Sequence, residues 1–147
     1  MNIETKYHDT IQIEANQIYT FQRGIPGFPE EHQFTILQLT DDGMYQVLQS
    51  INTPMLAFVI TNPFAFLANY EFTLDEPTVE QLHLENEEEA QIFVIVTVTD
   101  PFDQSTANFQ APIICNVRTK EGKQVVLNEG NYAMKQPLIT KTAAEKG

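Results

Sequence analysis

The chain has 147 residues, 42% of them hydrophobic and 10% aromatic, and a formal net charge of −12. That length can bury a core without staples, and the apolar content is too high for a disordered acidic tail. One cysteine excludes an intramolecular disulfide framework, and the net charge disfavours nucleic acid and anionic membranes as partners.

The acidity is unevenly placed. No lysine or arginine occurs between Arg23 and Arg118, whereas residues 24–117 contain fourteen acids. A fold must spread these over a surface with almost no local counter-charge, which steers basic partners toward it. Solubility alone is the simpler reading of the same feature.

In chain order, Met1-Asn2-Ile3-Glu4-Thr5-Lys6 has no apolar signal region, so a cytoplasmic protein is expected. Ile11 and Ile13, Tyr19 and Phe21, then Phe34, Ile36 and Leu39 fall in short windows close to period two, which predicts strands. Gly24-Ile25-Pro26-Gly27-Phe28-Pro29 cannot continue a strand and predicts a rigid bent loop. Asp41-Asp42-Gly43 reads as a turn between two strands. The longest apolar run, Met55 to Ile60, is far short of the ~20 residues of a membrane span.

Helix is scarce. Pro63 to Ala68 suggests a short turn, and Glu76 to Leu84 a short helix capped by Asp75, with Pro77 in its first turn. Val79, Leu82 and His83 would face the core. Ile92 to Val98 is apolar and β-branched, as in a strand covered on both faces. Cys115 lies in an apolar run and reads as a buried inert thiol. Residues 113–128 read as a hairpin turning at Lys120-Glu121-Gly122-Lys123. The expected fold is all-β, a single-domain antiparallel barrel-like or sandwich structure with one or two short helices, spanning residues 1–139. Thr140 to Gly147 lacks apolar anchors and is expected to be a disordered tail.

Catalytic signals are weak. His8, His32 and His83 show no metal-ligand spacing, and a single cysteine allows no CxxC pair. Tyr7-His8-Asp9 resembles a base with its carboxylate, but neighbours in a strand point to opposite faces. Ser50 and Ser105 lie outside any GxSxG motif, and Glu85-Asn86-Glu87-Glu88-Glu89 lacks the calcium-loop ladder. Arg118, Lys120 and Lys123, interrupted by Glu121, make too small a basic cluster for phosphate contacts. A small acidic β-domain hydrolase or carbohydrate-acting protein is the alternative class. It requires a pocket with two acids, one of raised pKa.

Several strings carry a resemblance. They are Thr5-Lys6-Tyr7-His8, Phe21-Gln22-Arg23-Gly24-Ile25-Pro26-Gly27-Phe28, Leu48-Gln49-Ser50, Pro54-Met55-Leu56-Ala57-Phe58, Asn62-Pro63-Phe64 and Tyr70-Glu71-Phe72, followed by Thr106-Ala107-Asn108-Phe109-Gln110-Ala111-Pro112-Ile113 and Gln124-Val125-Val126-Leu127-Asn128. In this order and spacing the chain, from Ile3 to Tyr132, resembles the FliW family of bacterial flagellar assembly factors. Phe109 departs from the smaller aliphatic residue expected there.

The resemblance implies a non-enzymatic cytoplasmic partner switch without cofactor or metal. Such proteins bind flagellin as a chaperone, or instead bind CsrA, a small dimeric RNA-binding translational repressor, and so relieve repression of the flagellin message. Direct binding to nucleic acid or membrane is not expected. For CsrA the expected contacts are Glu71, Asp75, Glu76, Asp100 and Asp103, with Tyr70 as an aromatic anchor; a solvated acidic face is the other reading of these acids. Phe28 and Phe64 are read as core or loop anchors, and Asn108 and Gln110 as amides that satisfy backbone groups in a bend. Flagellin, offering an amphipathic helical segment, requires an apolar groove that the sequence does not locate.

Overall fold

Seven strands close on one another in the computed structural model, which describes residues 1–128 and 132–138. They are β3 (Ile18–Thr20), β4 (Gln33–Gln38), β5 (Tyr45–Ser50), β6 (Ala57–Thr61), β7 (Ala90–Thr97), β9 (Ile113–Asn116) and β10 (Glu121–Gln124). Consecutive neighbours from β3 to β7 are antiparallel, β7 pairs with β9, and β9 with β10. The ring closes through a short parallel contact between β10 and β3, where the Thr20 amide donates to the Lys120 carbonyl at 2.8 Å. The fold is therefore all-β as expected, and barrel rather than sandwich. The boundary expected at residues 139–140 and the tail expected beyond it lie outside the described residues.

Strand alternation sorts the apolar side chains into two clusters. Tyr19, Phe34, Leu48, Ile60, Phe93, Ile113 and Cys115 come from six barrel strands and, with Phe21 and Ile25, fill the lumen. Val59, Val94 and Val96 point the other way and join Tyr70, Ala107, Phe109, Leu127 and Leu138 in an outer cluster. β7 is thus covered on both faces, as its sequence predicts: Phe93 and Val94 are both buried.

The bent loop at Gly24–Pro29 is present. Ile25 and Phe28 exchange backbone hydrogen bonds, Gly24 has φ of 65°, and a Cβ there would lie 2.4 Å from the Phe28 carbonyl oxygen. The Asp41-Asp42-Gly43 turn joins β4 to β5, and Asp42 accepts hydrogen bonds from the Thr40 hydroxyl and the Met44 amide.

The hairpin of β9 and β10 needs a correction. Its turn is Val117–Lys120, not residues 120–123. Asn116 accepts from the amides of Arg118 and Thr119 and so directs the bend. Gly122 sits inside β10 for a different reason: a Cβ there would lie 2.4 Å from Cζ of Phe21, so the missing side chain makes room for that ring in the lumen. Lys120, with φ of 60°, closes the turn.

Two further strands extend the sheet beside β7. β8 (Thr106–Ala107) pairs with Val96 and Thr97, β11 (Gln136–Pro137) lies outside it, and β9 then pairs with Ala90 to Phe93 on the same edge of β7. Between β8 and β9 the register slips by three residues, since Ala107 faces Val96 whereas Ile113, not residue 110, faces Phe93. Asn108 holds this bulge by accepting hydrogen bonds from the amides of Gln110 and Ala111, both at 3.1 Å. Of the two amides expected to act there, Asn108 uses its side chain and Gln110 only its backbone, which also accepts from Leu127.

The N-terminal hairpin, β1 (Asn2–Glu4) and β2 (Thr10–Gln12), lies apart from the barrel sheet. Tyr7-His8-Asp9 occupies its turn rather than a strand; His8 Nε2 sits 2.6 Å from the Gln38 carbonyl and forms no pair with Asp9. The buried Gln49 amide fixes the hairpin to the barrel, accepting from Lys6 and donating to the carbonyls of Ser50, Pro54 and Leu56.

Candidate partner-binding groove and acidic surface

The short helix α1 (Glu76–Gln81) starts where its sequence places it. Asp75 caps it by accepting from the Thr78 amide at 3.1 Å, and hydrogen bonding to Thr78 holds the Asp75 carboxyl below its usual range. Thr78 and Leu82 are buried and Val79 is half-buried. His83 is a correction: the helix ends before it, its backbone takes φ of 54°, and its exposed ring lies 2.8 Å from Glu121 rather than in the core. Asn116 anchors this end of α1, donating from Nδ2 to the carbonyls of Leu82 and His83. Nothing in the sequence marked that amide, because its partners lie more than thirty residues away.

The expected aromatic anchor, Tyr70, lies in the outer cluster. It is 2% exposed and its hydroxyl donates to the Phe109 carbonyl at 2.6 Å. Phe64, Phe72, Phe109 and Tyr132 surround its ring at centroid distances of 4.5–5.8 Å. Burial, then the neighbouring Tyr132, pushes the hydroxyl pKa up. Tyr70 therefore organises the outer cluster. Phe109 packs edge-on against it and is fully buried, so its large ring is accommodated in the outer cluster.

The acids predicted to act together do not gather at one place. Glu71, Asp75 and Glu76 are exposed near the start of α1 and of β7, while Asp100 and Asp103 follow the far end of β7. β7, an eight-residue strand rising about 3.3 Å per residue, runs between the two groups. Beside the second group, Phe102 is exposed and packs edge-on against Tyr45 at 5.5 Å.

Between the 64–74 segment, α1 and β7 lies a groove of about 630 Å³. Tyr70, Phe72, Leu74, Val79, Leu84, Ala90 and Ile92 contribute apolar lining, with Phe64 at one end. Among the described residues, Glu71, Glu85 and Glu87 are its charged lining and no lysine or arginine lines it. Arg118, the nearby cation, is engaged by Glu89 and more distantly by Glu85 at 3.6 Å, and that contact draws the Glu89 carboxyl below its usual range. Phe28 and Phe64 are loop anchors rather than core residues: both are 41% exposed while packed on Phe58 and Tyr70.

Cys115 is sealed in the lumen, and burial pushes its thiol up to about 12. Ser50 donates to Glu31, and Ser105 accepts from the Thr99 amide, so each hydroxyl is engaged in the structure. Every carboxylate among the described residues whose pKa is displaced (Asp42, Asp75 and Glu89) is displaced downward, opposite to the general acid that the carbohydrate-acting class requires. Among the described residues no group of three or more His, Cys, Asp or Glu could hold a metal ion, and no helix is long and apolar enough to cross a membrane.

Closed lumen, side groove and acidic rim together define a small β-barrel domain that presents a surface rather than an interior cavity. Comparison with known proteins is specific. The FliW protein family profile matches residues 2–138. The chain is 48% identical to the flagellar assembly factor FliW of Geobacillus kaustophilus, over 99% of this chain and all of that protein. It is 46% identical to FliW of Bacillus subtilis, over 94% and 96% of the two chains. A crystal structure of the flagellar assembly factor FliW matches with a TM-score of 0.91 at 48% identity, covering 95% of this chain and 98% of that one. The chain belongs to the FliW family of flagellar assembly factors.

Proposed function

We propose that this flagellar assembly factor is a non-enzymatic cytoplasmic partner switch. It holds flagellin as a chaperone before export and, when flagellin is scarce, sequesters CsrA, so that the flagellin message escapes translational repression. The observation that carries this reading is the acidic surface of a FliW-family barrel: fourteen acids and no lysine or arginine between residues 24 and 117. CsrA holds RNA on a basic surface, and a partner of net charge −12 is drawn there. Once docked, it raises the electrostatic cost of bringing phosphate nearby. Glu71, Asp75 and Glu76, or Asp100 and Asp103 beside the exposed Phe102, are the proposed contacts. Because the two groups stand at opposite ends of β7, substituting each separately tells which one CsrA uses.

The test is a titration of the protein into CsrA bound to a labelled flagellin leader RNA, with and without flagellin. Loss of the RNA complex, reversed by added flagellin, is expected. Failure to bind either protein at micromolar concentration overturns the proposal. Antagonism that stays constant at rising ionic strength, with the protein complex kept saturated, removes its electrostatic part, because screening acts within ~8 Å at physiological salt.

A further inference from the structure

We infer that the groove between the 64–74 segment, α1 and β7 is a docking site for a peptide segment of one chemistry: clustered large apolar side chains with lysine or arginine on both flanks. The inference rests on reading the chain as a partner-binding protein, and it adds the surface and the kind of segment that surface selects.

The floor sets the first requirement. Phe72, Leu74, Val79, Leu84 and Ile92 present apolar lining within about 630 Å³, inside the ~300–1,000 Å³ of typical binding sites. Phe64, 41% exposed at one end, extends that lining outward. Water gains little by contact with such a floor, so apolar anchors that displace it bind favourably.

The rim sets the second. Glu71, Glu85 and Glu87 border the groove, and among the described residues the one ion pair to them is Arg118 with Glu85 at 3.6 Å. Arg118 is shared with Glu89 and the His83 carbonyl, so it offsets at most one of the three rim carboxylates. Fatty acids and other apolar anions are repelled by these carboxylates, and a second copy of a −12 chain is repelled as a whole. Flanking cations meet them instead, adding on-rate and register to the apolar contact.

The test uses two labelled synthetic peptides of equal length, charge and composition. One has its leucine and phenylalanine residues clustered between lysines; the other has the same residues dispersed. Amide chemical shifts of the full chain should move at Leu74, Val79, Leu84, Asn86 and Ile92 with the clustered peptide only. The double variant Glu71→Lys/Glu87→Lys, altered at exposed positions that leave folding undisturbed, should weaken that peptide about tenfold or more, as expected when paired charges turn repulsive. Leu84→Asp should weaken it at least as much, with its folding checked by the unchanged shifts of the barrel lumen. Equal binding of the dispersed peptide overturns the inference, because charge attraction alone then accounts for binding. Shift changes confined to another surface overturn it as well. If Leu84→Asp folds and still displaces RNA from CsrA and binds flagellin normally, while peptide binding to the groove is lost, the partner-switch proposal stands and the groove serves a different segment. If the wild-type chain engages neither CsrA nor flagellin yet selects the clustered peptide, the groove stands and the switch falls.

Discussion

Two apolar clusters sit back to back across β7, and they are closed by different means. The lumen is enclosed by a ring of paired strands, so its side chains have sheet on every side. The outer cluster is covered by short segments, residues 63–74, 125–128 and 132–138, that pack on one strand face through aromatic rings. Paired backbone is costly to open locally, whereas a layer held by side chains can leave its edge uncovered and make a groove. The lumen therefore carries stability, and the outer layer is where recognition can be built without weakening the barrel.

The largest expected effect comes from emptying the lumen. Phe34 is fully buried, edge-on to Phe21 at 5.3 Å and tilted against Phe58. Phe34→Ala should cost about 3–5 kcal/mol by chemical denaturation. A cost under about 1 kcal/mol would mean the ring is not a closed core and would erase the contrast. Overfilling should be the next largest. Gly122→Ala sets a methyl against the Phe21 ring, and rearrangement of that ring should cost about 1–3 kcal/mol.

The outer layer should respond more gently and differently. Tyr70→Phe keeps the ring nest but removes the hydrogen bond to the Phe109 carbonyl, for an expected loss of about 1–2 kcal/mol. The same variant should leave the lumen closed. Cys115 reports that directly, since its thiol is fully buried among lumen residues and pushed up to about 12. In both wild type and Tyr70→Phe, a thiol reagent should label it only at the rate of global opening. Fast labelling in the variant would show that the two clusters open together.

What the sequence discloses follows the same division. The Asp75 cap, the Asp41-Asp42-Gly43 turn, the Gly24–Pro29 loop and the doubly covered β7 all arise from neighbours within a few residues, so their patterns are local. Gly122 was misleading because a glycine beside charged residues signals a turn, while its actual role depends on Phe21, a hundred residues earlier. Tyr70 follows the polar Asn69 and precedes the acidic Glu71, so it looks exposed; its burial depends on Phe109 and Tyr132 arriving from later in the chain. The acids were legible as a charge excess but not as two separated groups. Only the length and direction of β7 reveal that, and the groove needs three distant segments to exist at all.

The smallest expected effect tests how far the outer layer depends on charge at its edge. The Asp75 carboxyl is held below its ordinary value of 3.8, first by hydrogen bonding to Thr78 and with a lesser contribution from Lys123. A depressed folded-state pKa contributes stability that is fully present above the unfolded value and is lost as pH falls through the folded one. Asn at this position can still cap the helix but carries no charge. Asp75→Asn should therefore lower Tm slightly at pH 7, and the gap from wild type should close as pH falls below about 3.8. The carboxyl is exposed, so added salt should shrink the neutral-pH gap as well. A gap that persists unchanged at acid pH would show that the side chain acts by shape alone. The wall of the groove formed by α1 would then owe nothing to the acidic charge that surrounds it.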